Sequence, residues 1–140
     1  MNRNERILVW LLRLSGVVML MALGAVVMPY AWMNIIHQQQ GLGELPHIPI
    51  VGYLTRSISA LYALHGALLV FVASDLSRYL PIVRFLALAG AAFGAMMLVI
   101  DWAVEMPLLW IIGEGPWVIL LSAVIFSLAR RIRLKPDRAS

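Results

Sequence analysis

Four long apolar segments, separated by shorter polar stretches, dominate the chain. They fall at about residues 7–33, 54–76, 81–104 and 115–134, and a membrane-spanning helix needs roughly 20 such residues. Because no water reaches the backbone inside a bilayer, helices are the structure that segments of this kind adopt there. The pattern predicts an all-α, polytopic membrane protein: a four-transmembrane-helix bundle that forms one domain over residues 1–140.

The charged residues are divided between the two ends of these segments. The loops at one end hold Glu44, Asp101, Glu105 and Glu114, with Arg56 as their one base. Nine of the 11 basic residues lie at the other end: Arg3, Arg6, Arg78, Arg84, Arg130, Arg131, Arg133, Lys135 and Arg138. Short loops rich in Lys and Arg stay cytoplasmic. We therefore expect both termini to be cytoplasmic, and the bases to meet lipid headgroups rather than nucleic acid.

The first apolar segment follows a basic leader, which is also the pattern of a secretory signal. Ala22 and Ala25 offer small residues at a cleavage spacing. However, the apolar run is about twice the usual 7–15 residues of a signal core, and Arg13 interrupts it. We expect the segment to be retained as the first helix. The chain has no cysteine, which excludes disulfides and thiolate metal sites.

Two connections at the acidic end need separate interpretations. Residues 35–53 contain three glutamines and two prolines, so we expect a long outer loop rather than a fifth crossing. Residues 106–112 are apolar, but Pro107 breaks their start and a glycine follows them. We expect them to form an interfacial or shallow re-entrant turn held by Trp110 and Trp117.

Small residues recur at helical spacing on the first three segments. Gly90 and Gly94 form a GxxxG motif on the third, and Gly66 lies in a stripe of small residues on the second. The first carries Gly16 and Gly24 on one face. Lipid supplies no hydrophobic drive between helices, so residues that allow close backbone approach mark an interface. These faces either pack the bundle of one chain or, through Gly90 and Gly94, dock a second copy or another membrane protein.

The charges at the outer end form the main candidate site. Asp101 and Glu105 are four residues apart, which places both carboxylates on one helix face. Arg56 and Glu114 fall at the same membrane level. We expect these four residues to converge, because an uncompensated charge there is costly. The cluster is either an interhelical salt bridge or a ligand-binding pocket, and the excess of acid favours a shared proton or a bound cation.

His65 and Tyr62 are further candidate ligand-binding residues near mid-membrane. His65 lies on the opposite helix face from Arg56, and we expect it to be neutral and hydrogen-bonded to Tyr62 or to a serine. A haem held in a bundle needs two axial ligands on facing helices, whereas His37 and His47 belong to the outer loop. The loop histidines match no zinc spacing, so we expect no metal site. The sequence identifies neither a cofactor nor a catalytic residue.

The long outer loop, the acid at the end of the third helix (Asp101) and the basic tail (130–138) together resemble the small bacterial four-helix membrane proteins grouped as DoxX-like. The resemblance implies a multi-pass protein of the bacterial inner membrane. Some members are associated with quinone-linked oxidation of sulfur compounds, which implies a quinone, lipid or other small molecule at the outer cluster and an accessory role beside a membrane oxidoreductase. The alternatives are a structural or assembly subunit of a larger membrane complex and a proton-coupled transporter.

Overall fold

The computed structural model describes residues 2–132 of the chain. This part is all-helical, without strands, and four of its helical stretches are long and apolar enough to cross a membrane. The helices are α1 (Arg3–Leu20), α2 (Leu23–Val27), α3 (Tyr30–Gln39), α4 (Pro49–Val72), α5 (Leu76–Ala103), α6 (Leu108–Gly113) and α7 (Gly115–Arg131). The four candidate spans are Arg3–Val27, Pro49–Val72, Leu76–Ala103 and Leu108–Arg131. Arg133, Lys135 and Arg138 of the basic tail lie outside the described residues.

The first predicted helix is interrupted twice. α1 gives way to α2 through a turn at residues 21–22, and α2 ends before Pro29. Met28 takes an extended conformation (φ −64°, ψ 134°), as a residue before proline commonly does. The chain then resumes as α3, so the outer loop predicted for residues 35–53 is in part helical, and the irregular connection shrinks to residues 40–48.

Caps explain where the middle helices begin. α4 starts at Pro49, about a turn before the predicted residue 54, because proline fits the first helical position. α5 starts at Leu76, five residues before the predicted start. The carboxylate of Asp75 accepts a hydrogen bond from the backbone N–H of Arg78 at 3.1 Å, and this cap moves the start forward, so that Pro81 falls inside the helix.

The small-residue faces pack the bundle of one chain, the first of the two alternatives. α1 packs chiefly against α4, and α5 chiefly against α7. A Cβ added to Gly66 would lie 2.6 Å from the carbonyl oxygen of Gly16, and one added to Gly94 would lie 2.9 Å from that of Gly115. Gly90 faces Ser122. A second chain docking on Gly90 and Gly94 would have to displace α7.

The apolar core lies at the basic end of the bundle. Its fully buried side chains are Leu8, Leu12, Val72, Leu80 and Val83, which come from the start of α1, the end of α4 and the start of α5. At the opposite end Asp101, in the last turn of α5, is buried, and Tyr62 of α4 and Glu114 between α6 and α7 are part-buried.

Candidate functional site

Asp101 is the most deeply buried charged residue that the structure describes. It lies in the last turn of α5 and is 2% exposed. Its Oδ2 has no hydrogen-bond partner within the described part of the chain. Buried polar groups are almost always hydrogen-bonded, so an orphaned carboxyl oxygen requires an explanation.

Glu114 stands at the junction of α6 and α7 and has both carboxyl oxygens engaged. The hydroxyl of Tyr62 on α4 donates to its Oε1 at 3.3 Å. The indole Nε1–H of Trp110 on α6 donates to its Oε2 at 2.7 Å. Glu114 therefore ties α4 to both helices of the fourth candidate span, at the point where the helical hydrogen-bond pattern is interrupted.

Tyr62 forms a hydrogen bond with Glu114 and none with Asp101. Its hydroxyl lies within electrostatic range of the carboxyl groups of both Glu114 and Asp101. Three of the six predicted residues, Tyr62, Asp101 and Glu114, are thus brought together from three parts of the fold. With Trp110 they form what we call the carboxyl site. None of the described Lys, Arg or His side chains forms an ion pair with either acid.

The predicted pairing of Arg56 with these acids is wrong. Arg56 instead donates from Nε to the carbonyl of Val26 at 3.1 Å, from Nη2 to that of Met28 at 3.3 Å and from Nη1 to that of Gly52 at 3.4 Å. The break before Pro29 leaves the carbonyls at the end of α2 without helical N–H partners. Arg56 supplies the missing donors, so its role is to close the break rather than to neutralise a carboxylate.

The predicted shared face of Asp101 and Glu105 is also wrong. α5 ends at Ala103, and Glu105 has a positive φ of 55° and is exposed. The N–H of Met106 bonds the carbonyl of Asp101 at 2.9 Å, and that of Glu105 bonds the carbonyl of Trp102 at 3.3 Å. This is the Schellman arrangement that closes many helices. It turns Glu105 away from the helix face that carries Asp101.

His65 follows Tyr62 by one turn but does not join it. The Tyr62 hydroxyl is used by Glu114, and the partly buried ring of His65 has no hydrogen-bond partner in the region that the structure describes. The expected bond from His65 to Tyr62 or a serine is therefore not formed. Of the outer-loop histidines, His37 donates from Nδ1 to the carbonyl of Gly43 at 2.9 Å, and His47 packs edge-on against Tyr30. Within residues 2–132, no group of three or more acidic or histidine side chains is arranged to hold a metal.

Trp110 belongs to the site, although the sequence predicts it in an interfacial or shallow re-entrant turn and not among the site residues. The structure makes residues 108–113 a short helix, which α7 follows after an interruption at Glu114, and Trp110 lies one turn before Glu114. Their spacing of four residues, an indole donor and a carboxylate acceptor on one helix face, is the signal that identifies the pair.

An apolar groove adjoins the carboxyl site on the outer surface of the bundle. It has a volume of about 410 Å³ and is lined by Leu98, Val99, Trp102, Ala103 and Ile111. We call it the outer groove. Leu98 lies one turn before Asp101, and Ile111 directly follows Trp110, so the groove is lined by neighbours of the site residues along the chain but by none of the site residues themselves. Leu98 also packs against Gly115, next to Glu114.

Over the described residues, fold and site define an all-helical protein with four candidate membrane spans, a buried Asp101 and a part-buried Glu114, and no described base forms an ion pair with either acid. No protein-family model, no curated protein and no solved structure matches the chain.

Proposed function

We propose that the chain is a multi-pass inner-membrane protein that binds a small molecule at the carboxyl site. The observation that carries the proposal is the carboxyl group of Asp101, which is 2% exposed with one oxygen unpartnered. Removing a carboxylate from water without compensation costs several kcal/mol. A bound ligand, a cation or a proton supplies that compensation.

A purely structural role for the acids does not explain why Asp101 is buried without a partner. The salt-bridge interpretation depends on Arg56, which is engaged by backbone carbonyls of α2 and α4. Buried ion pairs are poor stabilisers even when complete, and apolar residues of similar volume often replace them at no cost. Ionisable groups kept inside a membrane bundle without such a benefit are characteristic of binding sites and proton paths.

The charge distribution supports an outward-facing site. Arg78, Arg84, Arg130 and Arg131 lie at the end of the bundle opposite to Asp101. By the positive-inside rule this end is cytoplasmic, together with both termini. The carboxyl site then lies on the side of the outer leaflet. The DoxX-like resemblance supports the same placement, and it adds a quinone or a lipid headgroup to the candidate ligands and a membrane oxidoreductase to the candidate partners.

Ligand retention tests the binding site. The protein is purified in mild detergent as wild type and as Asp101→Asn, which keeps the shape of the side chain and removes its charge. Organic extracts and intact complexes are compared by mass spectrometry. We expect a small molecule in the wild-type sample that is reduced by about tenfold or more in the variant. A co-purifying protein with no small molecule would favour the assembly-subunit alternative.

Stability of Asp101→Leu provides the second criterion. Because the carboxyl is buried without a partner, replacing it by an apolar side chain should leave the free energy of unfolding unchanged or raise it. A large loss of stability, with no ligand retained by the wild type, would show that Asp101 has a structural role and would refute the proposal. A reporter that is active only in the cytoplasm, fused after Ser140, tests the orientation separately.

A further inference from the structure

We propose that the ligand is a lipophilic cation whose positively charged head binds at Asp101 and Glu114 and whose apolar chain lies in the outer groove. This inference rests on the proposed function and specifies its ligand class. It begins from the fact that two carboxyl groups and a phenol converge, while no described base forms an ion pair with either acid.

The charges of the carboxyl site determine which head group the ligand can have. Both oxygens of Glu114 already accept hydrogen bonds, whereas Oδ2 of Asp101 has no donor. A group that approaches this oxygen must bring a donor or a positive charge. An anionic head is repelled, and a zwitterionic phospholipid would bring its phosphate toward the same acids. A monovalent ammonium group satisfies Asp101 without that penalty.

The surroundings of the acids suit an organic cation better than an inorganic one. Tyr62 and Trp110 place aromatic rings beside Glu114, with the hydroxyl and the indole N–H turned toward its carboxyl group. Aromatic rings attract an ammonium group that lies over their faces. A dehydrated metal ion would need more oxygen ligands, and the described residues contain no metal-binding group of three. An alkylated ammonium is weakly hydrated and loses little on entering such a site.

The outer groove accounts for the apolar part of the ligand. Its lining is almost entirely apolar and includes Leu98 and Ile111, which neighbour site residues along the chain, and Val99 and Ala103, which are exposed on α5. Since lipid tails compete for this surface, a chain lying there gains little affinity from leaving water. Its contribution is to position the head, so blocking the groove should weaken binding only a few-fold.

Direct binding tests both halves of the inference. The full-length protein is placed in phosphatidylcholine nanodiscs, and retention of radiolabelled dodecyltrimethylammonium is measured with empty nanodiscs subtracted. Unlabelled dodecanol, dodecyl sulfate and tetramethylammonium serve as neutral, anionic and tail-less competitors. We expect saturable binding of about one cation per chain, competition by tetramethylammonium, and little competition by the other two. Asp101→Asn should weaken binding by about tenfold or more.

A matched pair of variants tests the groove. Ala103→Phe fills it, whereas Ala92→Phe adds the same ring to an exposed position on nearly the same face of α5, about three turns away. We expect Ala103→Phe to weaken binding of the long-chain cation a few-fold without changing the affinity for tetramethylammonium, and Ala92→Phe to change neither. Equal effects of the two variants would overturn the placement of the chain.

The outcomes separate this inference from the proposed function. Equal binding of dodecanol and the cation, or absence of saturable cation binding, would overturn the lipophilic-cation assignment. If the wild type then still retained another molecule in a manner that depends on Asp101, the binding site would stand with a different ligand. If neither retention nor cation binding depended on Asp101, both proposals would fall.

Discussion

Replacing Arg56 by leucine separates the role that the structure gives this residue from the role that its charge suggests. The substitution removes three donors, at 3.1, 3.3 and 3.4 Å from the carbonyls of Val26, Met28 and Gly52. The Gly52 carbonyl belongs to the same helix as Arg56 and loses the weakest contact. The carbonyls of Val26 and Met28 lie at the break before Pro29, and their bonds to Arg56 are part-buried. An acceptor that is kept from water and left without a donor costs about 1–3 kcal/mol. We expect Arg56→Leu to lower the free energy of unfolding by about 2–4 kcal/mol.

The assay is reversible unfolding in mixed micelles of mild detergent and dodecyl sulfate, followed by circular dichroism. Arg56→Lys keeps the charge but offers its donors from one nitrogen, so an intermediate loss is expected. Arg13→Leu is the control, because Arg13 is exposed on α1, and surface substitutions usually change stability by less than about 0.5 kcal/mol. Ligand retention per folded molecule should be unchanged in all three variants.

The opposite pattern would refute this reasoning. If Arg56→Leu were as stable as Arg13→Leu but had lost the bound ligand, Arg56 would be an anchor for the ligand. The carboxyl site would then include a base, and the preference for a cation would have no basis.

Four further substitutions test the packing and the caps. Gly66→Ala places a Cβ 2.6 Å from the backbone of Gly16, so it should destabilise the protein by about 1–3 kcal/mol, whereas Gly24→Ala has no atom within 4 Å and should be neutral or slightly stabilising in the same unfolding assay. Glu105→Gly relieves a positive φ of 55° and should stabilise by about 1 kcal/mol without changing ligand retention; a loss of ligand would return Glu105 to the site. Hydrogen bonds from the backbone of Arg78 and the hydroxyl of Ser77 lower the pKa of Asp75. The ionised Asp75 therefore stabilises the fold above the ordinary aspartate range, and this stabilisation is lost as the pH falls through that range toward the lower folded-state pKa. Asp75→Asn should remove this part of the acid dependence of stability, and an unchanged pH profile would contradict the cap.

The sequence predicts the helical segments well and their ends less well. Segment length and apolar content are local properties, so four candidate spans follow from them directly. The small residues Gly66, Gly90 and Gly94 are likewise predicted to lie at helix interfaces, and they do, because only close approach explains such a stripe in a membrane segment. The early start of α5 depends on one side chain, Asp75, acting as a cap. The helical content of residues 108–113 depends on packing against α5 and α7.

The candidate site is predicted only in part. The sequence indicates how deep in the membrane a residue lies, but it does not indicate how each helix is rotated about its axis. Depth correctly groups Asp101 and Glu114 at one end, whereas Tyr62, which the sequence places nearer mid-membrane, joins them through its bond to Glu114. Depth also groups Arg56 and Glu105 there, although the first faces the end of α2 and the second leaves its helix in a left-handed turn. A glutamate in that conformation has no sequence signature, since glycine is the residue expected there.

The separation of Arg56 from the acids follows from helix geometry and explains why the site remains acidic. Arg56 and Tyr62 are six residues apart on α4, which is about 600° of rotation, or 240° around the axis. Their side chains therefore leave the helix on different sides. Tyr62 points toward Glu114, while Arg56 reaches the carbonyls that the break before Pro29 exposes. Because those carbonyls engage the guanidinium donors, no base at this level is left for Asp101. Pro29, which interrupts the first span, thus has an indirect effect on the site beside the fourth. The carbonyls exposed by this break bind Arg56, the one described arginine at the outer end. The carboxyl groups of Asp101 and Glu114 are left without a described base, so their charge must be compensated from outside the described chain.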